Sequence, residues 1–245
     1  MLRLITLDMT NTLLKFRQPP ADQYAAVARL YRVDFDPHKL SQAFRVSFKQ
    51  LEQEAPNFGA GSIGWQQWWL SLVSRTFTAA DCQANTDTLN ILGHHLIKHF
   101  SSGQAYELSD GSTALLEDIK GRGLLLGALS NSDERLDGIL VRLGVRHYFD
   151  FVLTSYAARV AKPDPRIFQQ ALALAGGNIG SHEALHIGDD LQRDYLAARR
   201  CGWHGVLVSG QLQQLCQEAG VPLDAASMVT GLRDLHTLLD TFKQA

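Results

Sequence analysis

The sequence predicts an α/β protein built on a doubly wound parallel sheet, with an all-helical domain inserted into it. Three observations carry this reading. Short apolar runs alternate with helical patterns through the second half of the chain, the rhythm of strand–crossover–strand units. From about Asp22 to Phe100 the alternation stops and only helical periodicity remains. Several of the apolar runs end in residues able to do chemistry, at the place where open parallel sheets bind ligands.

Strands are expected at Leu2 to Leu7, Leu124 to Leu129, Asp150 to Thr154, Ala184 to Ile187 and Gly205 to Val208. Ser132-Asp133-Glu134 should open a helix whose apolar face is Leu136, Ile139, Leu140 and Leu143 and which Gly144 ends. A second helix should run from Arg166 to Ala175 and close at Gly176-Gly177. After Gly220-Val221-Pro222, a short strand at Ser227-Met228-Val229 and a helix from Leu232 to Phe242 finish the core. The inserted region shows three apolar stripes: Tyr24, Val27, Ala28 and Tyr31; Leu40, Phe44, Phe48 and Leu51; Leu89, Leu92, Leu96 and Phe100. Pro56 to Gly61 breaks it as a loop between helices. These boundaries give a core of residues 1–17 and 101–245 and a helical insertion of residues 18–100.

Composition narrows the function classes. A net charge of −2 and a pI near 6.5, with scattered basic residues, supply no electrostatic footprint for nucleic acid or an anionic membrane. No apolar stretch reaches the roughly 18 residues that a spanning helix needs. Cys82, Cys201 and Cys216 are odd in number and far apart, which suggests neither a disulfide framework nor a zinc site and points to a reducing compartment. The first strand begins so near Met1 that a cleaved leader is not expected, and the cytoplasm is the expected location, with a mitochondrial matrix or nuclear pool as alternatives.

The chemistry starts at Asp8, which ends the run Arg3 to Leu7. A carboxylate at the end of a buried strand is costly without a charged partner. Three later segments offer partners. Ser130-Asn131 ends the second apolar run with groups that hydrogen-bond anionic oxygens. Lys162 lies in Lys-Pro-Asp-Pro, which the prolines hold out of helix. Asp189-Asp190 ends the third run, and Asp194 follows shortly after. Carboxylates crowded at strand ends repel one another unless a hard cation sits among them, which favours Mg²⁺ with oxygen ligands. Singly, each segment could be a helix cap, a turn or a solvated charge. Their common order and placement favour a site.

These four segments resemble the four motifs of the haloacid dehalogenase (HAD) superfamily: Asp8, then Ser130, then Lys162, then Asp189 with Asp194. The arrangement is most similar to subfamily I, whose helical cap follows the first motif. The resemblance implies a Rossmann-like core and a Mg²⁺-dependent hydrolase, expected to be a phosphatase of small phosphorylated molecules. It further implies Asp8 as nucleophile, with Ser130, Asn131 and Lys162 on the phosphoryl group. Mg²⁺ would be held by Asp8, the main-chain carbonyl of Thr10 and Asp189. Asp194 or Asp190 would join the metal site or orient Lys162. Asn11 stands where the family usually has glycine, and asparagine accepts a left-handed backbone. Thr12 is expected to cap or brace the loop.

Thr10 departs from the usual pattern, which has a second aspartate there as general acid and base. A threonine hydroxyl does not exchange protons that way near neutral pH. The change predicts slow turnover or a preference for good leaving groups, such as the acyl phosphates that the P-type ATPases, also similar over this segment, are built to keep. The alternative is a HAD-fold protein with weakened catalysis that acts by binding a ligand or partner. A dehalogenase would have no use for the later aspartates, and a phosphonatase lysine has only Lys39, Lys49 and Lys98 as candidates without a motif. Trp65, Trp68, Trp69 and Leu72 read as a helix face, His95 and His99 as solvated, and His186 as a packed core residue. Lys15 and Arg17 lie beside the first motif and are either solvated or near substrate phosphate.

Overall fold

The computed structural model describes residues 1–212 and 224–242; Gly220-Val221-Pro222 and Cys216 lie outside the described residues. Six strands form one parallel sheet in the order β5-β4-β1-β6-β7-β8. They are β1 Leu4–Leu7, β4 Leu125–Ser130, β5 Phe151–Thr154, β6 Ala184–Gly188, β7 His204–Val208 and β8 Met228–Val229. β1 and β6 are buried along their whole length, as expected of strands covered on both faces. From β1 the chain builds outward through β4 and β5, then returns to β6 on the other side of β1. That reversal makes the carboxyl end of β1 a topological switch point.

Two short strands were not expected from the sequence: β2 Leu14–Phe16 and β3 Tyr106–Leu108 form a separate two-stranded ribbon. With three residues each, Leu-Lys-Phe and Tyr-Glu-Leu, they are too short for their apolar–polar–apolar order to stand out as a strand period. Gly127 in β4 sits opposite Phe151 of β5, and a Cβ there would collide with the Phe151 ring. The aromatic ring takes the space that a side chain at 127 would need.

Contacts group the residues into two compact units. One comprises Met1–Lys15, Leu108–Asn131 and Leu143–Ala245 and contains the six-stranded sheet. The other comprises Phe16–Glu107 and Ser132–Arg142 and contains the helices Pro20–Leu30, Pro37–Glu54, Gly64–Ala79 and Thr86–Ser101. Its core joins Tyr24, Val27 and Ala28 to Leu40, Phe77, Leu92 and Leu96. Asp36 and Asn85 cap two of these helices through their side chains. Pro56–Gly59 forms one tight turn in which Asn57 and Phe58 have positive φ, and the Phe58 ring packs on Trp68 and Trp69. A bulky residue held left-handed is strained, and the aromatic contacts stabilise it there.

The helix Arg135–Arg142, read from the sequence as part of the sheet domain, groups by its contacts with the helical unit. Asp133 binds the Arg135 guanidinium at 2.7 and 2.9 Å and accepts from Trp69 Nε1 at 2.7 Å. Arg135 lies 4.7 Å over the Trp69 ring, and Glu134 accepts from Trp65 Nε1 at 2.9 Å. Trp68 is fully buried, whereas Trp65 and Trp69 turn their indole N–H groups to these acids. His95 and His99 have separate partners, Tyr31 and Gln23.

Candidate active site

Asp8 follows the last residue of β1, between the ends of β4 and β6. Its N–H donates to the Ile187 carbonyl at 2.8 Å, so the strand ladder continues through it and fixes its backbone. Beyond it the chain turns tightly: Asn11 N–H donates to Leu14 O at 2.6 Å and Leu14 N–H to Met9 O at 2.7 Å. Asn11 takes φ 65°, the left-handed conformation the sequence suggested for it. Thr10 is half-buried in this turn and bridges to Leu14. Thr12 Oγ1 donates to Asp189 Oδ1 at 3.3 Å, so it braces the first motif against the fourth.

Lys162 is the centre of the cluster and only 4% exposed. Its ammonium donates to Asp8 Oδ1 at 2.7 Å, Asp194 Oδ1 at 2.6 Å and Leu129 O at 2.8 Å. Asn131 holds the lysine's main chain from both sides: Lys162 N–H donates to its Oδ1, and its Nδ2 donates to Lys162 O, each at 2.8 Å. One amide hydrogen of Asn131 remains for a ligand. Ser130, the last residue of β4, is buried beside it.

At the end of β6, Gly188 has no side chain because the Asp194 carboxylate occupies that space; a Cβ would overlap it. Asp194 reaches inward from a wide π-helical turn, Leu191–Tyr195, in which Tyr195 N–H reaches back to Asp190 O at 3.2 Å. Asp194 Oδ2 accepts from Asp190 N–H at 3.0 Å, and Oδ1 accepts from Lys162 and from His186 Nε2 at 3.0 Å. Asp190 caps the turn through Gln192 and Arg193 N–H, the structural one of the roles considered for it. A cleft of about 340 Å³ opens beside Asp189, lined among others by Asn11, Thr12, Ser209 and Thr230.

The electrostatics follow from burial and crowding. Burial raises Asp8 and Asp194 adds repulsion, and although Lys162 opposes both, the carboxyl is pushed up to about 6. Burial also opposes charge on Asp194, but Lys162 and His186 overcome it and hold this carboxyl well below the usual range. Burial and the Asp194 charge raise Asp189. Burial and the nearby Lys162 ammonium push His186 down, which favours a neutral ring at neutral pH. Lys162 is raised despite its burial, because two carboxylates face it.

Asp8, Asp189 and Asp194 each offer a carboxylate oxygen, and these oxygens lie within 4.8 Å of one another. Three carboxylates face a single ammonium, so the cluster is two charges short of neutrality when all three are ionised. Hard oxygen donors with excess negative charge suit a divalent cation such as Mg²⁺. The donor set therefore fits the ion.

The site residues named from the sequence, Asp8, Thr10, Ser130, Asn131, Lys162, Asp189 and Asp194, all belong to the sheet unit. Arg17 pairs with Glu107 at 3.7 Å within the helical unit. In the sequence His186 reads as a packed core residue, and nothing there singles out Thr6. The structure places both against the cluster: His186 contacts Asp194, and Thr6 Oγ1 lies 2.8 Å from His186 Nδ1. Their signal was a polar residue at an interior strand position, which reads equally as ordinary core.

Removing one partner of a buried ion pair leaves an uncompensated charge, at about 3–5 kcal/mol. Lys162→Met in EDTA should therefore lose about that much stability at pH 7.5 by urea denaturation. Asp8 is raised to about 6 even with Lys162 lowering it, and loss of the lysine raises it further, so in the variant the penalty for the Asp8 charge is relieved as Asp8 takes up a proton, which is complete well below pH 6. The deficit of the variant should shrink at pH 5. An equal deficit at both pH values would show that charge is not its source.

A family profile described as haloacid dehalogenase-like hydrolase matches residues 2–202. Haloacid dehalogenase-like hydrolase domain-containing protein 3 of Bos taurus is 42% identical over 210 residues, covering 85% of this chain and 82% of that protein. The rhythmically expressed gene 2 protein of Drosophila melanogaster is 35% identical over 243 residues, covering 96% and 94%. Among solved structures, the putative HAD-hydrolase YfnB from Bacillus subtilis, described as bound to magnesium, superposes with a TM-score of 0.73 at 14% identity, over 98% of this chain and 99% of that one. The 2-haloacid dehalogenase from Pseudomonas syringae superposes with a TM-score of 0.68 at 22% identity, over 99% and 100%. At these identities the two structures share the fold. From the extent of the profile match and the two sequence relatives, this chain belongs to the haloacid dehalogenase-like hydrolase family.

Proposed function

We propose that this chain is a Mg²⁺-dependent phosphatase of small phosphorylated molecules, working through an aspartyl phosphate on Asp8. The observation that carries the reading is the buried Lys162 ammonium holding Asp8 beside Asp189 and Asp194. A dehalogenase displaces halide from carbon and needs no cluster of acids around its nucleophile. Such a cluster supports handling of a phosphoryl group, whose oxygens carry charge that must be offset.

Asp8 would attack phosphorus in line. The bond to the leaving oxygen breaks as the acyl phosphate forms, and water attacking phosphorus then frees phosphate and the carboxylate. Lys162 would shift N–H bonds onto the phosphoryl oxygens, and Ser130 with the remaining Asn131 N–H would donate to them. Asp8, Asp189 and the Thr10 carbonyl would hold the ion, with Asp194 beside them, and Mg²⁺ bound there would neutralise phosphoryl charge. Asp194 already uses both oxygens on Lys162, His186 and Asp190, which supports a main role in orienting the lysine. The depth of Asp8 favours small substrates. The free Cys82 and Cys201 fit a reducing compartment such as the cytoplasm.

Thr10 sets the rate. General acid catalysis supplies about 10² to 10⁴ in rate, and a threonine forgoes it. Alkyl phosphates should turn over slowly, and aryl or acyl phosphates should suffer least. The same residue favours a second reading, in which catalysis is weak and the fold serves to bind a phosphorylated ligand or a partner.

Hydrolysis of p-nitrophenyl phosphate should require Mg²⁺, cease with EDTA and fall by about 10³-fold or more in Asp8→Asn. Its rate should fall on the acid side, as Asp8 takes a proton. Activity absent from the wild type, or equal in the variant, would favour the binding reading. In Thr10→Asp, turnover of a simple alkyl phosphate should rise, by up to about 10²-fold. An unchanged or lower rate would show that the missing acid is not the limit.

A further inference from the structure

Behind Lys162 lies a polar pair that the proposed reaction does not use. Thr6 of β1 and His186 of β6 are partners in the parallel register, and both are fully buried. Strand side chains alternate between faces, so Thr6 lies on the same face as Asp8, and His186 on the face where Gly188 makes room for Asp194. Thr6 Oγ1 stands 2.8 Å from His186 Nδ1, and His186 Nε2 stands 3.0 Å from Asp194 Oδ1, the oxygen that also accepts from Lys162.

Counting hydrogens orders this chain. An ammonium has three N–H donors. Those of Lys162 meet Asp194 Oδ1, Asp8 Oδ1 and Leu129 O, all within 2.8 Å, so none is left for His186 Nε2 at 3.5 Å. Asp194 Oδ1 is a carboxylate oxygen and can only accept. Nε2 must therefore carry the hydrogen between them. In a neutral ring Nδ1 is then bare, and the Thr6 hydroxyl donates to it. The opposite tautomer would set two lone pairs against each other at 3.0 Å in a buried site.

We propose that Thr6 and His186 are positioning residues for Lys162. The threonine hydroxyl fixes the ring as its Nε2–H tautomer, and the ring holds Asp194 in the rotamer that presents the lysine to Asp8. When Lys162 turns a hydrogen toward a ligand oxygen, Asp194 stays in place, because its bonds from His186 and Asp190 do not depend on the lysine. The consequence for rate rests on the reading of Asp8 and Lys162 given above; the tautomer does not.

Two readouts test this separately. Ring nitrogen NMR of histidine-labelled protein, with His186 assigned by the signal lost in His186→Gln or shifted in Thr6→Val, should show a protonated Nε2 and a bare Nδ1 that accepts a hydrogen bond. With p-nitrophenyl phosphate, Thr6→Val and His186→Leu should lower kcat about tenfold to a hundredfold with KM little changed. Thr6→Ser should keep both the ring signature and the rate, and His186→Gln, which still offers an N–H to Asp194, should recover part of the loss. A protonated Nδ1 with a bare Nε2, or a Thr6→Val protein matching Thr6→Ser in ring signals and kcat, would overturn the proposal. Losses in urea midpoint with unchanged kcat would reduce the pair to packing and overturn it as well. A wild type without turnover would remove the catalytic reading, and the ring tautomer would still decide this one.

Discussion

The ammonium of Lys162, buried and shared between Asp8 and Asp194, is the interaction around which the rest of the sheet unit is arranged. An ion triad in such surroundings persists only when each charge is met by well-placed partners. The fold supplies them from separate elements. β1 delivers Asp8, the end of β4 supplies the Leu129 carbonyl and the Asn131 clamp, and the π turn after β6 delivers Asp194 into the gap left by Gly188.

The triad is complete as a lysine site and incomplete as a charge balance. Asp189 adds a third carboxylate within reach of the other two, and neutral His186 offsets none of it. Burial first, and repulsion from Asp194 after it, raise Asp8 and Asp189. An anionic phosphate cannot enter such a cluster favourably without added positive charge, so cation and substrate binding belong to one electrostatic problem. In the proposed reaction Thr10 forgoes proton transfer and leaves this charge arrangement intact.

Much of this was legible in the sequence because the sheet is parallel and buried. Continuous apolar runs marked β1, β4 and β6, and the polar residues ending them marked the site, since open parallel sheets bind ligands at those ends and a buried carboxylate there is costly without a charged partner. Asn11 was legible through its tolerance of positive φ. Three features were not. β2 and β3 are too short to show a period. The helix Arg135–Arg142 has an ordinary amphipathic pattern, and its grouping with the helical unit depends on Asp133, Trp69 and Arg135 meeting across 64 or more positions of sequence, which no local pattern records. His186 looks like core because it is core; its second role appears only when Thr6 and Asp194 are brought to its two nitrogens by strand register and the π turn.

If a divalent cation balances the carboxylates of Asp8, Asp189 and Asp194, calorimetric titration of the metal-free protein with Mg²⁺ should show one saturable site per chain, lost or weakened at least about tenfold in Asp189→Asn, whose side chain keeps its shape and sheds its charge. Absence of binding to the wild type, or equal binding to the variant, would contradict it.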